Sequence, residues 1–111
     1  MRFPIYRQVE SMDCGPTCIR MVTDFYKKKY TLQTLKEYCN VTRLGISIQD
    51  VVEGCKKTGL TAIPLQLSID RIKDAPLPAI LYWRQNHFVV LYKIGKNGQF
   101  HIADPSYGRI R

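Results

Sequence analysis

Apolar residues recur at Cys18, Ile19, Val22, Phe25 and Tyr26, directly after the run Asp13-Cys-Gly-Pro-Thr-Cys18. That spacing places them on one face of a helix. Asp13 predicts the N-cap, and Pro16 is tolerated in a first turn whose amides have no intrahelical partner. A second helix is predicted after Thr31, with Leu32, Leu35 and Tyr38 or Cys39 turned inward. A third starts at Ser47, where Ser47 and Asp50 have the spacing of a capping box. Its apolar face is Ile48, Val51, Val52 and Cys55, and Gly59 suits the left-handed position just past its end.

Beyond Gly59 the period changes. Short β-like runs cover Leu60 to Leu67, Pro78 to Trp83, His87 to Ile94 and Gln99 to Ala103. Gly95-Lys96-Asn97-Gly98 joins the last two as a hairpin loop. Helices followed by strands, rather than alternating with them, predict an α+β domain. Its antiparallel sheet is expected to pack on the helix that starts at Asp13.

The chain has 111 residues, room for one domain and one hydrophobic core. Met1-Arg-Phe-Pro-Ile-Tyr-Arg7 contains no apolar signal core, and the longest apolar run, Pro76 to Trp83, is too short to cross a bilayer. The expectation is a soluble, cytosolic chain. A net charge of +8 raises the question of an anionic partner. The basic residues are scattered, however, and the one tight run, Lys27-Lys28-Lys29, falls at a predicted helix end where cations complement the dipole. With no recognition motif present, nucleic acid is not an expected partner.

Four cysteines could in principle form two disulfides, but without a secretion signal that framework is not expected, and no paired C-x-x-C spacing suggests zinc. Cys18, Cys39 and Cys55 sit at apolar-periodic positions and read as small buried hydrophobes. Cys14 is different. In the first turn of a helix it meets unpaired amides and the positive end of the dipole, which favour thiolate over thiol. Gly15 beside it is expected to leave the backbone open to a substrate. On this feature alone a buried structural cysteine is an equal account, so a companion is required.

The companion is His87, at the start of the third predicted strand. With a four-residue loop at Gly95 to Gly98, Asp104 falls opposite Val89, and alternation puts His87, Val89 and Asp104 on one face. Such diagonal neighbours stand about 7–8 Å apart, within reach of an Asp–His hydrogen bond. By the same count His101 points to the other face and is a bystander. Gln8, six residues before Cys14, reads on its own as an ordinary polar loop residue, although its side-chain amide could also donate to an oxyanion beside the Cys14 amide.

The run Gln8-Val-Glu-Ser-Met-Asp-Cys-Gly-Pro-Thr-Cys18, then Gly45-Ile-Ser47, His87-Phe-Val-Val90 and Asp104-Pro-Ser-Tyr-Gly108, resembles the bacteriocin-processing peptidase family. These are papain-like domains at the N-terminus of peptidase-containing ABC exporters. The resemblance covers nearly the whole chain. It implies a papain-like cysteine peptidase fold, with Cys14 as nucleophile, His87 as general base and acid, Asp104 as the histidine-orienting carboxylate and Gln8 as the oxyanion-hole side chain. It also implies cleavage of precursor peptides after a Gly-Gly or Gly-Ala pair at the leader's end, with no cofactor or metal. The expected partners are the leader-bearing precursor and the transmembrane and ATP-binding parts of an exporter, at the cytosolic face of a bacterial inner membrane.

Pro16 stands where many members carry a small residue. No phosphate loop of the G-x-x-x-x-G-K-[ST] type is present, and Arg109-Ile110-Arg111 reads as a truncation. Residues 1–111 are therefore expected to be a single peptidase domain cut from a longer exporter. Two other readings stay open: a catalytically silent module that binds leader or cargo peptides, and an acyl-transfer enzyme that uses an amine in place of water.

Overall fold

The computed structural model describes residues 2–8, 11–41, 46–84 and 87–110. Three α-helices come first: α1 (Cys14–Phe25), α2 (Leu32–Cys39) and α3 (Ile48–Lys57). A 3-10 turn at Ser11–Asp13 leads into α1, and another at Ile69–Asp74 precedes the strands. The strands β1 (Ala79–Arg84), β2 (His87–Ile94), β3 (Phe100–Asp104) and β4 (Gly108–Ile110) form one antiparallel sheet in chain order. The α+β class is therefore correct. Among the described residues no helix is long and apolar enough to cross a membrane.

Local chemistry explains where the helices begin and end. The Thr31 side chain accepts from the Thr34 amide at the start of α2. Ser47 and Asp50 form a reciprocal capping box: Asp50 N donates to Ser47 Oγ at 3.1 Å, and Ser47 N donates to Asp50 Oδ2 at 3.0 Å. Gly59 follows the end of α3 with φ +90°, a conformation that costs a residue without Cβ little. Asp13 departs from expectation. It occupies the N-cap position of α1 without a side-chain cap bond, and its buried carboxylate instead pairs with Lys36 Nζ on α2 at 3.2 Å. Tyr26 lies past the end of α1 and is exposed, as is Ile48 in the first turn of α3; the buried face of that helix is Val51, Gly54 and Cys55. Lys28 and Lys29 also follow α1, where Lys28 Nζ donates to the Thr58 carbonyl and Lys29 pairs with Asp24.

The sheet has two covered faces. On one, α1 lies across β2, and Cys18, Ile19, Met21 and Val22 pack with Phe88, Val90 and Ala103. Leu35, Cys39, Val51 and Cys55 extend that core between the helices. On the other face Val89, Leu91 and Ile102 are covered by Ile72 and Leu77 from the connection to β1.

The expected strand over Leu60 to Leu67 does not form. The segment joins no sheet, and Ile63 and Leu65 are 73% and 67% exposed. Pro64 has no amide to give a ladder, which disfavours a paired strand here whatever the apolar alternation suggests.

Candidate active site

The site lies where three elements end together. Cys14 is the first residue of α1, His87 the first of β2 and Asp104 the last of β3. Because β2 and β3 are antiparallel, the start of one lies beside the finish of the other. Val90 pairs with Ala103, which sets Asp104 level with Val89.

That alignment agrees with the expected one by an unexpected route. Next to the turn Ile94 pairs with Phe100 and Lys93 with His101, so the hairpin loop is Gly95 to Gln99, one residue longer than expected. A register shift between Leu91 and Lys93 then makes Tyr92 the extra residue of a β-bulge. The longer loop and the bulge cancel, and Asp104 reaches the face of His87.

His87 Nε2 donates to Asp104 Oδ1 at 2.9 Å, with side chains 23% and 8% exposed. A half-buried imidazole with one nitrogen engaged by a carboxylate has a fixed orientation, and Nδ1 is its remaining basic atom. Asp104 Oδ1 also accepts the backbone amide of Ser106 at 2.8 Å. An aspartate accepting the amide two residues on is an Asx turn. His101 lies at the turn end of β3, its ring edge-on to Tyr92 at 6.1 Å.

Cys14 is buried, and its thiol receives backbone hydrogen bonds from Phe88, Gly15 and its own amide. Phe88 is the residue after His87, so the sulfur sits against the beginning of β2. Its ionisation differs from the expectation drawn from the helix start. Burial pushes the thiol up, the three backbone bonds oppose this, and the Asp104 charge adds to the rise. The donors at the helix start are present, but desolvation outweighs them. Cys39 and Cys55 are pushed up by burial to about 12 and about 11, and Cys18 well above the ordinary thiol range. Gly15 is likewise not open to a substrate. A Cβ there would stand 2.8 Å from Ile46 Cδ1 and 3.3 Å from Val51 Cγ2, so the glycine lets the start of α1 pack against the start of α3.

Gln8 is stitched to the chain just after Asp104. Its amide donates to the Pro105 carbonyl at 2.8 Å, and its side-chain oxygen accepts from Ser106 Oγ at 3.2 Å. The four expected residues thus occupy neighbouring places: Asp104 bonds His87, Ser106 bonds both Asp104 and Gln8, and Cys14 touches Phe88. Ser106 was not among them, although the Asp-Pro-Ser sequence carries an Asx-turn signal. Val9, Glu10 and Gly45 of the family-like motif lie outside the described residues.

Residues 2–111 match the Peptidase C39 family. The lactococcin-G-processing and transport ATP-binding protein of Lactococcus lactis subsp. lactis is 34% identical over 117 residues, covering 100% of this chain and 16% of that protein. A probable microcin-H47 secretion/processing ATP-binding protein of Escherichia coli is 29% identical over 108 residues, 97% of this chain and 15% of that protein. The chain therefore spans about one sixth of the length of these relatives. Among solved structures, a double glycine motif protease from an AMS/PCAT transporter, in complex with the leader peptide, superposes with a TM-score of 0.89 at 32% identity. The match covers 98% of this chain and 78% of that one. The peptidase domain of a Streptococcus bi-functional ABC transporter involved in quorum sensing superposes at 0.85 with 23% identity, covering 99% and 85%, a likeness of fold.

Proposed function

The chain belongs to the peptidase C39 family, and from that premise we propose that it is a cysteine endopeptidase that removes leaders from exported peptides after a Gly-Gly or Gly-Ala pair. Membership supports cysteine-peptidase chemistry. The observation that carries the residue assignment is the His87–Asp104 hydrogen bond at 2.9 Å, one residue from the backbone that touches the Cys14 sulfur.

In this reading Cys14 Sγ attacks the scissile carbonyl carbon while its proton passes to His87 Nδ1, and a C–S bond forms. The carbonyl electrons move to oxygen, and the Gln8 side-chain amide with the Cys14 backbone amide stabilises the oxyanion. The C–N bond breaks as His87 returns the proton to the leaving amine. Water then attacks the thioester, giving its proton to His87. The C–S bond breaks, releasing the leader acid, and the thiol is restored. Because burial favours the neutral thiol of Cys14, His87 acts as a base during attack, with Asp104 stabilising the imidazolium.

We read residues 1–111 as one domain of a longer exporter, acting on leader-bearing precursors at the cytosolic membrane face. Its relatives are secretion and transport proteins with ATP-binding parts, which supports that setting. The test is incubation with a peptide whose leader ends in Gly-Gly, wild type against Cys14→Ala. Cleavage after the second glycine, lost in the variant, is expected. Binding without cleavage by both proteins would make the chain a silent module, and a product joined to an added amine would make it an acyltransferase.

A further inference from the structure

Ser106 takes part in three hydrogen bonds, through its amide, its hydroxyl and its carbonyl. Its amide donates to Asp104 Oδ1 at 2.8 Å, its hydroxyl donates to Gln8 Oε1 at 3.2 Å, and its carbonyl accepts from Arg7 at 2.9 Å. Beside it the Pro105 carbonyl accepts the Gln8 amide at 2.8 Å. Residues 7–8 are thereby sewn to residues 105–106 over a separation of 99 positions. The serine hydroxyl connects the carboxylate end of the site to Gln8.

A primary carboxamide has two ends of nearly equal size and opposite polarity. Turned one way, Gln8 presents NH2 to a developing oxyanion; turned the other way, it presents an oxygen that repels it. A hydroxyl donating to Oε1 selects the first orientation. Donation to that oxygen also polarises the amide and strengthens its N–H groups as donors. The position of the hydroxyl is in turn set by the Asx turn at Asp104, the carboxylate that holds His87.

We propose that Ser106 is a positioning residue whose hydroxyl holds the Gln8 carboxamide with its NH2 end toward the oxyanion, coupling that donor to the His87–Asp104 pair. The inference rests on the peptidase reading above and adds a residue to it. Ser106→Ala removes the hydroxyl and leaves the backbone bond to Asp104 in place, so the two links separate.

The experiment is steady-state cleavage of a Gly-Gly leader peptide by wild type, Ser106→Ala, Ser106→Thr, Gln8→Ala and Gln8→Ala/Ser106→Ala, with Cys14→Ala as control and melting curves alongside. Ser106→Ala is expected to lower kcat about 10-fold with KM nearly unchanged. This lies inside the roughly 10²–10³-fold ceiling for loss of a whole oxyanion donor. Ser106→Thr keeps the hydroxyl and should regain most of kcat. In the Gln8→Ala background, removing the hydroxyl should change nothing, because the group it orients is gone. The pH profile of kcat/KM should match wild type, since Asp104 and His87 are untouched.

Equal losses from Ser106→Ala with and without Gln8 would overturn the proposal, as would a Thr variant no better than Ala. Failure of Ser106→Ala to fold would make the side chain a structural support and overturn it too. If wild type cleaves in a Cys14-dependent manner and Ser106→Ala equals it, only the role of Ser106 falls. If wild type does not cleave, the peptidase reading falls and takes this role with it.

Discussion

The start of α1 and the interface between α2 and α3 bury cysteines to the same extent but prepare them differently. Cys14 is 2% exposed, Cys39 1% and Cys55 4%. Around Cys14 the backbone of Phe88, Gly15 and Cys14 itself turns donors toward the sulfur. Around Cys55 burial acts alone, and around Cys39 burial is joined by the charges of Cys55 and Asp50. Accessibility therefore does not separate a candidate nucleophile from a packing residue here. What surrounds the sulfur does.

Alkaline titration gives the strongest way to sharpen this contrast. The folded thiols of Cys39 and Cys55 are raised to about 12 and about 11, against about 8.5 for an unfolded cysteine. A raised folded value means the fold holds the proton more tightly. Its stability contribution is full below the unfolded value and is lost as pH climbs toward the folded one. Each thiol then removes up to about 1.4 kcal/mol per pH unit inside that window. Melting temperature should fall steeply from about pH 9 upward, and the fall should flatten in Cys39→Ala/Cys55→Ala. An unchanged slope in the double variant would show that these thiols do not carry it.

Steric substitution comes next. A Cβ on Gly54 would run into Cys39 Sγ and approach Ile19 Cδ1 at 3.1 Å, so α3 could not stay against α2 and α1. Gly54→Ala is expected to cost about 1–3 kcal/mol in urea unfolding. A neutral result would mean this interface is loose. A smaller effect separates the thiols chemically: under limiting iodoacetamide at neutral pH, Cys14 should react at least about 10-fold faster than the other three, by mass spectrometry of the modified peptides. Equal rates would erase the distinction. Gly15→Ala should have the mildest effect on stability, under about 1.5 kcal/mol, because the nearest atom is the far end of the Ile46 side chain.

Much of this was legible before any coordinates. The helix caps at Thr31 and Ser47, the left-handed Gly59 and the inward cysteines follow from local rules that act within a few residues. The pairing of His87 with Asp104 follows from strand alternation only because a loop one residue longer than four is offset by the bulge at Tyr92. A bulge at Tyr92 leaves no mark in the sequence: no turn residue accompanies it, and the ring stacked on Tyr92 belongs to the distant Phe3. Leu60 to Leu67 misled in the opposite way: alternation suggests a strand, while Pro64 lacks the amide a ladder needs. Burial of Cys14 was an equal reading from its sequence position, and only the fold decides it, since a helix start reveals its donors while the desolvation around it comes from distant parts of the chain.

His87 and Asp104 lie at one end of the sheet, and β2 runs eight residues from there to the other end. At about 3.3 Å per residue the Gly95 to Gln99 turn stands roughly 23 Å away along the strand. Asn97 and Gly98 at its tip face solvent. That tip is a natural port for an inserted affinity handle or fluorophore, which would report on the molecule without entering its chemistry.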